Sequence, residues 1–178
     1  MAALVVAALS IAATPGFAAT TKLKCFSHSP ATCSIGAGPT ATLDTSSGGS
    51  AGVYVQAWRF VSGTAIGQIA FSFNYICPTL NDKASCTGGG AVRWSIPIDT
   101  NGDGRWNFFA FVDAANCGNT GTVDNGNFCQ VFAGNESFTD WAAFAAAHPT
   151  YTIANNSVPF VISDVPKPSV TISNVSFG

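Results

Sequence analysis

Gly88-Gly-Gly-Ala-Val-Arg-Trp-Ser-Ile-Pro-Ile-Asp-Thr-Asn-Gly-Asp-Gly-Arg-Trp-Asn-Phe-Phe-Ala-Phe-Val-Asp113 is the stretch whose reading decides the fold. Val92, Trp94, Ile96 and Ile98 alternate with Ala91, Arg93, Ser95 and Pro97, the period of a half-buried strand. Trp106 to Val112 is a second apolar run, rich in aromatics. The turn between them, Asp99-x-Asn101-x-Asp103-Gly104, carries the residues that sharp turns select. Two strands joined by such a turn make a hairpin, and the remaining segments read as strands added to it.

Working outward, Val53 to Val61 alternates, with Val53, Val55, Ala57 and Val61 on one face and Tyr54, Gln56, Trp58 and Phe60 on the other. Ile69, Phe71, Phe73 and Tyr75 repeat the pattern. Asp124-Asn125-Gly126-Asn127 carries a type I′ hairpin signal that would pair Phe128 to Phe132 back on the preceding segment. Three strands close the chain, Thr150 to Ala154, Val158 to Ser163 and Ser169 to Phe177. In the last, the apolar set changes register at Asn174. The one helix falls at Thr139 to Ala147, with Ser137-x-x-Asp140 as an approximate capping box and Pro149 as its stop. Many short strands separated by Gly- and Asn-rich turns define an all-β chain. Residues 19–178 are expected to form a single antiparallel β-sandwich, jelly-roll-like and stapled by disulfides.

Charged residues are only 9% of the 178, apolar ones 47%, and the formal net charge is −2. No Lys or Arg cluster is present to neutralise phosphates, which argues against a nucleic-acid partner and against an anionic membrane surface. Met1 to Ala19 is an apolar run of small residues broken by Pro15-Gly16, and Gly16-Phe17-Ala18 near its end is the small-residue pattern of a signal peptide cut after Ala18. The mature chain is therefore expected to be secreted, without a membrane span. Cys25, Cys33, Cys77, Cys86, Cys117 and Cys129 form an even set in an exported chain, which implies disulfides. Their spacing suggests three sequential short loops, Cys25–Cys33, Cys77–Cys86 and Cys117–Cys129, although six cysteines allow about 15 pairings.

Two features carry chemistry. Asp99, Asn101 and Asp103 place oxygens at alternate positions before Gly104, as in the first half of an EF-hand-type loop, and so are candidate ligands for Ca2+. The twelfth position, where a bidentate carboxylate belongs, holds Ala110, and a plain tight turn explains the same residues. Tyr54, Gln56 and Trp58, with Trp106 beside the Asp-rich turn, are the candidate ligand-binding set. Flat aromatics near an amide suit the apolar faces and hydroxyls of sugar rings. The competing reading buries these aromatics in the core and turns the valines toward a neighbour. Trp94 belongs to the core, and Trp141 anchors the helix. No nucleophile motif accompanies the two histidines, and His148 with Asp140 is the only acid–base pairing that suggests itself.

The run Cys86-Thr-Gly-Gly-Gly-Ala-Val-Arg-Trp-Ser-Ile, followed by an Asp-rich turn and an aromatic strand, resembles a group of uncharacterised secreted bacterial proteins. In that group a Gly-Gly-x-Pro-Arg-Phe stretch opens the central strand; here Val92 stands at the Pro position and Trp94 at the Phe position. The resemblance extends through Trp141 and Tyr151-Thr-Ile-Ala to Pro159-Phe-Val-Ile. It implies an exported β domain and no particular activity.

The function expected from these residues is a secreted, non-catalytic module that binds a glycan or cell-surface ligand, with or without a structural calcium. The alternative is a structural cell-surface subunit that self-assembles as a homo-oligomer, suggested by the low charge. A secreted hydrolase is the remaining reading, for want of a paired-carboxylate or nucleophile motif.

Overall fold

A computed structural model describes residues 22–56, 59, 61–79, 82–118, 121–126 and 128–178. The expected signal peptide, residues 1–18, and Trp58 lie outside the described residues. Among those described, thirteen strands and one α-helix follow one another: β1 (Leu23–His28), β2 (Thr32–Ile35), β3 (Thr40–Asp44), β4 (Ser50–Val55), β5 (Phe71–Ile76), β6 (Arg93–Asp99), β7 (Phe108–Cys117), β8 (Thr122–Asp124), β9 (Cys129–Ala133), β10 (Glu136–Phe138), α1 (Trp141–Ala147), β11 (Thr152–Ile153), β12 (Phe160–Ser163) and β13 (Val170–Phe177).

The strands make two antiparallel sheets. The larger runs β1-β4-β12-β6-β7-β9-β10, with β11 on β6; the smaller runs β2-β3-β13-β5-β8. Within them, β4-β12-β6-β7 and β3-β13-β5-β8 face each other, and the last two strands of the chain each insert between two earlier ones. That connectivity is a jelly roll, two four-stranded sheets built from interlocked Greek keys. β1 and β2, consecutive strands joined by a short turn, add one strand to each sheet and so close one flank, while β9 and β10 widen the larger sheet past β7.

The expected hairpin forms β6 and β7, in register from Arg93↔Asp113 to Ile98↔Phe108. Val92, Trp94, Ile96 and Ile98 are wholly buried between the sheets. Trp94 meets Phe71, Phe73 and Phe177 at ring-centroid distances of 6.0, 6.1 and 5.4 Å, and Phe71 meets Trp141 at 4.9 Å. This aromatic cluster fills the sandwich, and each such ring removes on the order of 150–250 Å² from water.

The opposite face of β6 departs from the half-buried expectation. Ser95 and Asp99 are 1% and 2% exposed, and Pro97 is buried as well. Neighbouring strands supply the cover, since Ser95 lies between Phe111 and Phe160, and Pro97 beside Phe109.

The hairpin expected at Asp124-Asn125-Gly126-Asn127, whose last residue lies outside the described ones, is a second difference. β8 pairs with β5 in the small sheet and β9 with β7 in the large one, so the turn carries the chain between sheets rather than closing a hairpin. Asp124 Oδ1 accepts from Gly126 N at 2.8 Å, which favours the turn whichever strands flank it. At Asn174 the expected register change is present: φ is +51°, and the β13–β5 pairing shifts between Ser173 and Ser176.

All three disulfides follow the sequential pairing, Cys25–Cys33, Cys77–Cys86 and Cys117–Cys129. The first ties β1 to β2, the third ties the end of β7 to the start of β9, and the second closes the loop that delivers Gly88 to β6. No helix among the described residues is long and apolar enough to cross a membrane.

Helix α1 begins at Asp140, not in a Ser137 capping box. Asp140 has extended φ/ψ, and its Oδ1 accepts from Ala143 N at 2.8 Å. Trp141 and Phe144 turn inward, with Trp141 Nε1 donating to Ile66 O at 2.9 Å. Asp140→Ala is therefore expected to cost about 1 kcal/mol and to lower Tm by roughly 2–4 °C in a calorimetric scan. An unchanged Tm would mean that tertiary packing alone holds the helix end.

Candidate functional site

The outer face of the large sheet is aromatic. Strand registers align Lys24, Tyr54, Phe160, Ser95, Phe111 and Phe132 in one row across β1, β4, β12, β6, β7 and β9. Val53 and Val55 face the core at 0% and 2% exposure, so alternation turns Tyr54 outward onto this row. Phe109 makes edge contacts with Phe160 at 5.5 Å and tilts against Trp106 at 5.1 Å. Phe26 meets Phe160 edge-on at 5.5 Å, and Phe111 stacks beside Phe109 at 6.4 Å. These rings are half-buried because they cover one another, except Trp106, which is 47% exposed.

The structure thus brings Tyr54 and Trp106 onto one aromatic face, linked through Phe160 and Phe109. Gln56 is exposed just beyond the end of β4. Phe160, Phe109, Phe111 and Phe132 complete the surface without having been singled out by sequence. They sit at the alternate positions of strands whose core-facing residues include the smaller Ala110, Val112, Val131 and Ala133.

Beside the aromatics lies a cleft of about 400 Å³, lined by Gly89, Gly90, Arg93, Phe111, Asp113, Asn116 and Phe132. Arg93 holds Asp164 in a two-pronged ion pair, Nη1–Oδ1 3.0 Å and Nη2–Oδ2 2.6 Å, and its guanidinium lies 4.7 Å above the Phe111 ring. Asp113 is the cross-strand neighbour of Arg93. Burial pushes its carboxyl above the usual carboxylate range, Arg93 opposes that rise, and Asp164 adds to it. Asp113 Oδ1 and Arg93 Nε are both buried without a hydrogen-bond partner among the described residues.

Gly89 and Gly90, which line the cleft, follow Gly88 in a run with φ of +107°, +65° and +107° from Gly88 to Gly90. A side chain is strained at these angles. At Gly90 a Cβ would also collide with Arg93 Nη1 and Asp164 Oδ1. Glycine is what lets the chain pass over the ion pair and enter β6.

The Asp-rich turn is wired internally. Asp99 Oδ1 accepts from Asn101 N at 3.1 Å and Gly102 N at 2.8 Å, and Oδ2 accepts from Gly104 N at 2.7 Å. Asn101 Oδ1 accepts from Asp103 N, and Asp103 Oδ1 from Arg105 N. Burial pushes the Asp99 carboxyl up, yet the N–H groups of Gly104, Gly102, Asn101 and Asp103 together hold it below the usual carboxylate range. Among the described residues no group of three or more His, Cys, Asp or Glu is placed to hold a metal ion.

His148 pairs with Glu136, Nε2–Oε2 2.8 Å, and stacks on Tyr151 at 4.3 Å, while Asp140 caps α1. The two residues weighed as an acid–base pair therefore serve the helix ends. No protein-family model, curated protein or solved structure matches this chain.

Proposed function

We propose that this is an exported, non-catalytic binding module that holds a carbohydrate on the outer face of its large sheet. The observation that carries this reading is the aromatic surface from Tyr54 through Phe160 and Phe109 to Trp106, which meets a cleft with charged walls where Phe109 stacks beside Phe111. Sugar rings present apolar C–H faces that stack on aromatics and hydroxyls that seek polar groups, and this face offers both. Jelly rolls host lectins among many other functions, so the fold permits the reading without arguing for it. Three disulfides agree with an oxidising destination, and export of the chain is part of the proposal. A structural Ca2+ on Asp99, Asn101 and Asp103 is the component the turn supports least, because its carboxylate oxygens already accept backbone N–H groups.

Trp106→Ala tests the platform. The ring is 47% exposed and packs on Phe109, so its loss should cost about 1–2 kcal/mol and leave the protein folded. Affinity for any oligosaccharide selected on a glycan array should fall about tenfold or more. If the array is blank and sedimentation shows concentration-dependent oligomers broken by Trp106→Ala, the face joins copies of the chain, and the self-assembling subunit takes the place of this reading.

A further inference from the structure

The cleft is more selective than an aromatic platform needs to be. Its walls carry one positive and one negative side chain, Arg93 and Asp113, as lateral neighbours on β6 and β7. Arg93 is already committed to Asp164 through both terminal nitrogens, so its charge is matched before a ligand arrives. Asp113 Oδ1 is buried and accepts no hydrogen bond from the described residues, and an under-satisfied carboxyl beside a cleft costs stability unless something serves it. Phe111 and Phe132, in register across β7 and β9, line the same space with apolar surface.

Charge decides which group fits. An acidic sugar would bring a carboxylate against Asp113 and Asp164, with Arg93 already engaged. An amino sugar would be drawn to Asp113 but would have to desolvate its ammonium beside the guanidinium, and that cost commonly exceeds the Coulombic gain. A hydroxyl can donate to a carboxyl and accept from an N–H, and it brings no charge of its own. We propose that Arg93 and Asp113 form a subsite for one ring of a neutral saccharide, packed against the free edges of Phe111 and Phe132 with a hydroxyl donated to Asp113. This deepens the carbohydrate reading above and rests on it.

The glycines are compatible with the assignment. Gly89 and Gly90, both at positive φ, present backbone rather than side chains where they line the cleft. A backbone rim can approach a flat ring closely where a side chain would fend it off.

The test is a panel of neutral hexose, uronic-acid and amino-sugar oligosaccharides, titrated calorimetrically against the wild type, Asp113→Ala, Asp113→Asn and Trp106→Ala. The wild type is expected to bind neutral members only. Asp113→Ala should weaken that binding about 10- to 100-fold, the range for a hydrogen bond to a charged group. Asp113→Asn keeps a carbonyl acceptor and should retain affinity within about fivefold, which a merely structural role for the carboxylate would not require. Should Asp113→Ala fail to fold, Asp113→Asn and the wild-type selectivity still decide. Tightest binding of an acidic or amino sugar overturns the subsite. Wild-type affinity in Asp113→Ala alongside loss in Trp106→Ala overturns the subsite and leaves the aromatic platform standing. A panel with no binding at all removes both.

Discussion

Complete reduction of the three disulfides is expected to unfold the protein at room temperature or bring it close to unfolding. The loops they close span 8, 9 and 12 residues of separation. On the chain-entropy account, each restricts the unfolded state by roughly 2.5–3 kcal/mol, about 8 kcal/mol together. A domain of this size is stable by roughly 5–15 kcal/mol in all, so the crosslinks supply a share comparable to the whole margin. Circular dichroism with and without reductant, with thiol titration to confirm full reduction, reads the effect. Tm should drop by roughly 15–30 °C, if a folded state survives at all. The Cys77→Ser/Cys86→Ser pair isolates the loop that carries Gly88 to Gly90 into β6, and should cost about 2–4 kcal/mol by itself. A Tm within a few degrees of the oxidised value after full reduction would show that the jelly-roll core suffices. An oxidising compartment would then have no energetic necessity for this fold.

The fold was legible wherever one face of a strand differed from the other. Val53 and Val55 against Tyr54, or Phe71, Phe73 and Tyr75 against Ser72 and Asn74, announce both the strand and the side it buries. The break at Asn174 was legible for the same reason, because the apolar positions themselves skip a step. Strand partners were not legible where only local turn chemistry spoke. Asp124-Asn125-Gly126 folds a turn by an Asx hydrogen bond that is the same whether the next strand returns to its own sheet or crosses to the other. The crossing is imposed by long-range pairing of β8 with β5 and β9 with β7, which no window of a few residues contains.

The aromatic face was half legible. Tyr54 and Trp106 stood out because their neighbours are polar or valine. Phe109, Phe111 and Phe132 were hidden because β7 and β9 are apolar on both faces, and period-two reading cannot say which set is the core. The core set is the smaller one, Ala110, Val112, Val131 and Ala133, packed where the large Trp94 already occupies the space. Arg93 and Asp113 were visible as the charged positions flanking the central hairpin, but their adjacency depends on a turn length that sets the register. Asp164 comes from the far end of the chain and joins them through tertiary structure.

Asp99→Ala is expected to destabilise the protein by about 3–5 kcal/mol. The side chain is 2% exposed, and its two oxygens accept three backbone N–H groups across the turn that joins β6 to β7. Removing the acceptor leaves those donors unmet; each such bond to a charged group contributes about 1.5–3 kcal/mol, and the three are not additive. Asp99→Asn should recover little, because its amide nitrogen would face an N–H donor on one side. The loss has a defined pH window. The folded-state carboxyl of Asp99 is held below its unfolded value near 3.8, so its contribution is fully present above that pH and fades as pH falls through the lower folded value. The gap in stability between wild type and Asp99→Ala should accordingly be constant from pH 7 to about 5 and narrow below about 4. Urea melts at stepped pH values measure it. The same melts with EDTA and with calcium separate the two readings of the turn: amide-capped, it is indifferent to both. A wild-type Tm that falls with chelator and rises with calcium, an effect absent in Asp99→Ala, would place a cation on Asp99 and make the turn a metal-binding loop.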